Sequence, residues 1–276
     1  MNNYKNKEII AGPWVGEFGW ELFAWQGYLR AIKEKYNTRM VIICSEKSKL
    51  LYEDFADEFV YFEPPDTGQS DSFYMQGYHF SKENLFKILG HRDSNFSWLP
   101  PRRIGYPPAT SWNEEVSIGP FTVKPKYIMF ANQGYQCKYD IVIHARNRKL
   151  RSNDNWSLEN WSSLLGLLTQ KYKVACIGTK EQSLHVNDTV DYRGCDLSKT
   201  VDIIKSSRLV LGPSSGPMHL ASLCGTPHLV WGSREMSKTR YEDTWNPLGT
   251  KAQFLEEYGW HPPPEFIYKK VLENVI

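Results

Sequence analysis

Apolar and polar positions fall into blocks along this chain, and the period of the blocks switches between strand and helix. A short apolar run at Lys7–Ala11 leads into a glycine-bearing loop, Gly12–Gly19. Trp20–Tyr36 then places Leu22, Phe23, Trp25, Leu29 and Ile32 at helical spacing. Arg39–Cys44 (RMVIIC) is a continuous apolar run, as a strand buried on both faces of a parallel sheet requires. Another helix and a strand at Glu58–Phe62 follow, so the alternation predicts βαβ units. Residues 63–78, rich in Pro, Gly, Asp, Ser and Gln, read as a loop. Residues 91–126 carry many Pro and aromatic residues without a clear period. They read as irregular surface leading to an interdomain linker near Ser117–Lys126.

The second half repeats the alternation more clearly. Tyr139–Ala145 (YDIVIHA) predicts a strand, Arg146–Asn155 a polar, basic loop, and Ser157 the start of a helix with Glu159 in its first turn, running to about Lys171. Strands are predicted at Lys173–Ile177, Arg208–Leu211 and His228–Trp231, with helices at Ser198–Ser206 and Met218–Cys224, the latter closed by Gly225. Pro262–Ile276 reads as a short helix after a proline run. The expected fold is α/β: two Rossmann-like domains, 1–122 and 123–276, facing a cleft.

Composition narrows the function classes. The 276 residues allow two modest domains, and a net charge of +2 gives no general electrostatic case for a nucleic-acid partner. No apolar run is long enough for a transmembrane helix, and the first residues lack a signal-peptide stretch, so a cytoplasmic location is expected. The five cysteines are an odd number, lie far apart and form no CxxC pair, which fits free thiols. Neither GxxxxGK[ST] nor GxGxxG occurs. Asp-x-Asp, a common carboxylate pair for a divalent metal, is absent, so no metal and no cofactor are expected.

The strongest chemical signal is Leu209–Trp231, LVLGPSSGPMHLASLCGTPHLVW. A buried strand ends in a small-residue turn, Ser214, Ser215 and Gly216, and a helix begins there. Free N–H groups at a helix start carry roughly half a positive charge and suit a diphosphate. Pro217 fits the first helical turn, with Met218 and His219 beside it; His219 could reach a phosphate or sugar. A plain strand-turn-helix with a serine N-cap and a surface histidine fits the same residues. A second cluster, Ile143–Arg148, brings His144, Arg146 and Arg148 to a strand end, where open α/β sheets bind ligands and Arg can clamp phosphate oxygens. A solvated basic loop is the plainer alternative. Gly178, at the next strand end, lies where such folds often meet the base or ribose, and an ordinary turn is the plainer alternative. In the N-terminal loop, Glu17 is the candidate general base and Glu21, one helical turn on, the competing one; a first-turn acid that favours the helix dipole is the plainer reading of Glu21, and a base elsewhere stays open.

The segment Ser214–Ala221 resembles the donor-binding segment of bacterial heptosyltransferases, glycosyltransferase family 9, whose pattern is Asp-Thr-Gly-Pro-Met-His-Leu-Ala followed by Gly-x-Pro, here Gly225-Thr226-Pro227. The likeness extends weakly over residues 139–232 and includes Asn155-Trp156 before a helix. Ser214 and Ser215 stand where the family has Asp and Thr, which puts heptose as the donor sugar in doubt. Gly16-Glu17 resembles the family's Gly-Asp, whose acid acts as base. Residues 143–148 also look like the His-x-Arg-Arg segment of GDP-fucose-using fucosyltransferases. The resemblance implies the glycosyltransferase B architecture, a donor-binding C-terminal domain and a C-terminal helix that crosses back to the N-terminal one. The expected reaction moves a sugar from a nucleotide-diphosphate donor to an acceptor hydroxyl, with inversion and without metal. The acceptor is open: glycan, glycolipid, protein or modified nucleic acid. Alternatives are a nucleotide-sugar epimerase of the same fold or a nucleotide- or sugar-binding module without turnover.

Overall fold

The computed structural model describes residues 8–63, 81–90, 92, 95–101, 112–130, 136–233 and 238–274. The chain divides into two compact units, Met1–Tyr127 and Ile128–Ile276. The loop expected over 63–78 lies, beyond Glu63, outside the described residues.

In the N-terminal unit, β1 (Glu8–Ala11), β2 (Arg39–Cys44), β3 (Glu58–Tyr61) and β4 (Phe96–Leu99) form a sheet in the order β3-β2-β1-β4, with every neighbouring pair parallel. The apolar run of β2 explains its central place: five of its six residues are buried. The predicted first helix is three consecutive pieces. It comprises α1 (Phe18–Glu21), a π-helical turn (Leu22–Gln26) and α2 (Gly27–Tyr36). A π turn leaves backbone carbonyls out of the usual i→i−4 ladder. Here the Phe23 carbonyl accepts from the Tyr127 hydroxyl at 2.7 Å. Arg30, on α2, is buried, and its guanidinium holds Asp54 together with the carbonyls of Leu51 and Lys126. The helix α3 (Lys82–Leu89) is capped by Ser81.

Two expectations are corrected in this unit. Residues 91–126 are not irregular throughout, because Phe96–Leu99 supplies the fourth parallel strand. Ser117–Lys126 is not a linker: β5 (Val116–Ile118) and β6 (Phe121–Val123) make an antiparallel hairpin whose Ile118, Phe121 and Val123 are buried. A boundary at 122/123 would cut β6. Strands of three residues are too short to show a period.

The C-terminal unit holds a six-stranded parallel sheet. Its strands are β7 (Tyr139–Ile143), β8 (Val174–Cys176), β9 (Val190–Asp191), β10 (Ser207–Pro213), β11 (His228–Trp231) and β12 (Ala252–Leu255). The order is β12-β11-β10-β7-β8-β9, with a change of winding direction between β7 and β10. The helices are α4 (Leu158–Leu168), α5 (Leu197–Lys205), α6 (Gly216–Leu223) and α7 (Pro264–Asn274). Ser157 caps α4 through Asn160 N–H at 3.1 Å, and Asp196 caps α5 through Lys199 N–H at 2.7 Å. Ile267 and Val271 of α7 join the core of this unit, where α7 packs along α4. At the centre of that core three fully buried indoles meet. Trp156 lies 4.8 Å from Trp161 and 5.2 Å from Trp231, and Trp161 lies 5.6 Å from Trp231.

Candidate functional site

Because β7, β8, β10 and β11 run parallel, the loops that follow them leave from one edge of the sheet. The winding reverses between β7 and β10, and ligands of open α/β sheets bind at such a switch point. His144 follows β7 and Ser215 follows β10. The His144 Nδ1 and the Ser215 Oγ are 2.8 Å apart. Ser215 is extended, at φ −166° and ψ 168°, and is the N-cap of α6, yet its side chain does not cap the helix.

His144 sits in a slot walled by glycines. Gly178 has φ +127°, and a Cβ there would come 2.7 Å from Ser183 Oγ and 2.9 Å from His144 Cδ2. A Cβ on Gly212 would lie 2.9 Å from the His144 carbonyl. Burial, aided by the Arg146 charge, lowers the His144 pKa to about 3, so the ring is neutral at physiological pH.

Arg146 is buried too, and its nitrogens serve the backbone. Nη1 donates to the Ser214 carbonyl at 2.6 Å, Nη2 donates to the Asp154 carbonyl, and the guanidinium lies 4.6 Å from the Trp260 ring. Arg146 thus pins the Ser214 turn to the 146–155 loop. Arg148 Nη2 pairs with Asp154 at 2.8 Å, and Asn155 Nδ2 donates to the Arg148 carbonyl. The basic loop is a closed, hydrogen-bonded structure, not a freely solvated one.

Of the α6 residues singled out by sequence, Gly216 and Pro217 are half-buried like Ser215, whereas Met218 and His219 are buried. His219 lies below the helix start instead of at the surface. Its ring stacks on Tyr241 at 4.2 Å with planes 5° apart and tilts against Trp245 at 4.8 Å. Burial, then the Arg240 charge, depresses its pKa well below the usual imidazole range. Ser214 is buried, with Oγ 2.6 Å from the Tyr241 hydroxyl. Arg240 lies 3.7 Å over the Trp245 ring. Sequence reading passed over Tyr241, Trp245, Trp260, Arg240 and Asp154. Their positions, up to about a hundred residues from their partners, carry no local pattern.

In the N-terminal unit the loop after β1 begins with Gly12 at φ +103°, where a Cβ would come 2.3 Å from the Ile43 carbonyl oxygen. Glu17 is the N-cap of α1, half-buried, and its carbonyl accepts from Trp20 and Glu21. Glu21 is buried, at 5% exposure. It accepts from Tyr52 Oη at 2.6 Å and Ser48 Oγ at 3.2 Å, and burial raises its pKa to about 7. Among the described residues no cluster of His, Cys, Asp and Glu suits a metal ion, and no helix is long and apolar enough to cross a membrane.

No family model matches the chain, and no curated protein matches it in sequence. Solved structures do match. The E. coli heptosyltransferase WaaC with ADP superposes with a TM-score of 0.60 at 9% identity, over 97% of this chain and 99% of that one. The family 9 glycosyl transferase from Veillonella parvula DSM 2008 gives 0.58 at 11% identity, over 100% and 93%. The E. coli ADP-heptose lps heptosyltransferase II gives 0.56 at 11% identity, over 98% of each chain. The fold is that of family 9 glycosyltransferases. At such identities the architecture is what is shared, a pair of α/β units each built on a parallel sheet.

Proposed function

We propose that this chain is a glycosyltransferase that moves a sugar from a nucleotide-diphosphate donor to an acceptor hydroxyl. The C-terminal unit holds the donor and the N-terminal unit supplies the base. The observation that carries this reading is the start of α6. Its N-cap hydroxyl is turned to His144, Pro217 has no N–H, and the Met218 and His219 N–H groups already donate to the Ser215 carbonyl, so the Gly216 N–H and the Ser215 hydroxyl are what the helix start offers another acceptor. Arg146 fixes the turn beneath it. Neighbours of the same fold are named for heptose transfer and for ADP, which supports a nucleotide-diphosphate sugar as the donor.

Departure of the diphosphate needs charge stabilisation, which the helix start and the neighbouring Arg148 supply without a metal. Direct attack by the deprotonated acceptor inverts the anomeric carbon. Glu17, half-buried at the head of α1, takes the acceptor proton. Ser214 stands where the family pattern has an acid, and its hydroxyl is held by Tyr241, so the donor sugar is left open to forms other than heptose.

A thermal-shift and calorimetry panel of ADP, GDP, UDP, CDP and dTDP tests the reading. A diphosphate at 100 times its Kd stabilises by about 2.7 kcal/mol. Ser215→Asp sets a carboxylate against the diphosphate and is expected to abolish the shift with the fold intact. No shift with any nucleotide, or equal affinity in Ser215→Asp, overturns the donor site.

A further inference from the structure

We propose that His144 is a positioning residue: it holds the Ser215 oxygen so that the hydroxyl proton points away from the imidazole, to a diphosphate seated at the start of α6. The inference rests on the donor reading above and assigns a device to it. Three other helices of this chain are capped in the ordinary way by their own N-cap side chain, Ser81, Ser157 and Asp196. Ser215, a hydroxyl N-cap like Ser81 and Ser157, does not cap its helix, because its Oγ lies 2.8 Å from His144 Nδ1. An independent feature marks the same turn. Arg146 is 5% exposed and lies beneath it, and its Nε finds no acceptor among the described residues.

The imidazole has little freedom to turn away. Glycines at 178 and 212 wall its slot, and any side chain there would collide with it or with its backbone. It is also neutral, since burial and Arg146 oppose a second proton. A neutral imidazole carries one N–H, on either nitrogen. With the proton on Nε2, Nδ1 accepts from Ser215, and the serine offers only lone pairs to its surroundings. With the proton on Nδ1, the ring donates to Ser215 Oγ, and the serine proton is released to point elsewhere. A diphosphate needs donors, so an anion at α6 selects the Nδ1–H form. His144 then acts through Ser215 without touching the ligand.

The test is a double-mutant cycle on the full chain, with the best-binding member of the ADP, GDP and UDP panel as probe and inorganic pyrophosphate as a second. Ser215→Ala and His144→Leu are each expected to weaken binding about 10- to 100-fold, the worth of one hydrogen bond to a charged group. The double variant should lose no more than either single one. His144→Asn, whose amide nitrogen can stand near the Nδ1 position, should restore most of the affinity. Additive losses, or wild-type affinity in His144→Leu, overturn the role of His144 while leaving the donor site standing. Failure of the wild-type chain to bind any of these probes overturns the donor reading and this inference with it. Nitrogen-15 NMR of the wild-type histidines decides independently if His144→Leu does not fold. The saturated complex should show His144 as the Nδ1–H tautomer, and an Nε2–H tautomer there refutes the proposal.

Discussion

At the scale of single residues, the two acids of the first helix make opposite demands. Glu17 is reachable and heads α1, whereas Glu21 is enclosed by Tyr52 and Ser48. Glu17→Gln is expected to lower turnover about 10²–10⁴-fold with donor affinity unchanged, the usual loss of a general base. Glu21→Gln should lose much less; the reverse order of effects in steady-state kinetics moves the base one turn along the helix. Glu21 also makes a pH prediction. Its folded pKa stands near 7 against an ordinary 4.5. Between those values the folded chain holds a proton that the unfolded chain has released, so stability falls as pH rises through that window. The full effect is about 3 kcal/mol above pH 7. Glu21→Gln removes the titration, so its melting temperature should exceed wild type at pH 8 and match it near pH 4, below both values. An equal difference at both pH values would show that the buried carboxyl titrates normally.

Among the elements, the π turn between α1 and α2 shows how tightly the helix is bound to the chain beside it. A Cβ on Gly27 would come 2.5 Å from the Tyr127 ring, and that ring is anchored by its hydroxyl on the Phe23 carbonyl. Overpacking of this kind opposes folding by about 1–3 kcal/mol, more than the ~1 kcal/mol that Ala gains over Gly in a helix. Gly27→Ala should therefore destabilise. Gly166, exposed in α4 with nothing near its missing Cβ, is the control, and Gly166→Ala should stabilise by up to about 1 kcal/mol. Denaturant unfolding of both variants checks the pair; destabilisation by both would show that the ring at Tyr127 is not the cause. The same region shows where sequence reading ends. Runs such as RMVIIC and HLVW announce buried parallel strands because every residue after the first is apolar. The hairpin β5–β6 exposes Ser117 and Thr122 and buries Ile118, Phe121 and Val123 within three-residue strands, which no period resolves. The roles of Arg146 and His219 were hidden for another reason. Their partners, Trp260 for one and Tyr241 and Trp245 for the other, come from distant chain segments.

At the scale of the molecule, charge is sorted by sheet edge. In the N-terminal unit Arg39 and Arg92 tie Glu8 and Glu58 together across the first residues of β1, β2 and β3, which closes the amino edge with ion pairs. The carboxyl edges carry the loops with Glu17 in one unit and Ser215 in the other. If the helix start and Arg148 stabilise the leaving diphosphate, transfer should persist in EDTA, followed by release of the nucleotide. Loss of transfer on chelation with recovery on manganese alone would refute the metal-free mechanism. The three indoles at the core of the C-terminal unit give that unit an optical identity of its own. Chromophores held this close and at fixed angles share their excited states, so Trp156, Trp161 and Trp231 should produce a split circular-dichroism band that isolated tryptophans lack. Trp156 closes the basic loop and Trp231 precedes the glycine that packs on Trp260. The band is therefore a built-in gauge, in unlabelled protein, of whether the donor half is intact while its ligand comes and goes.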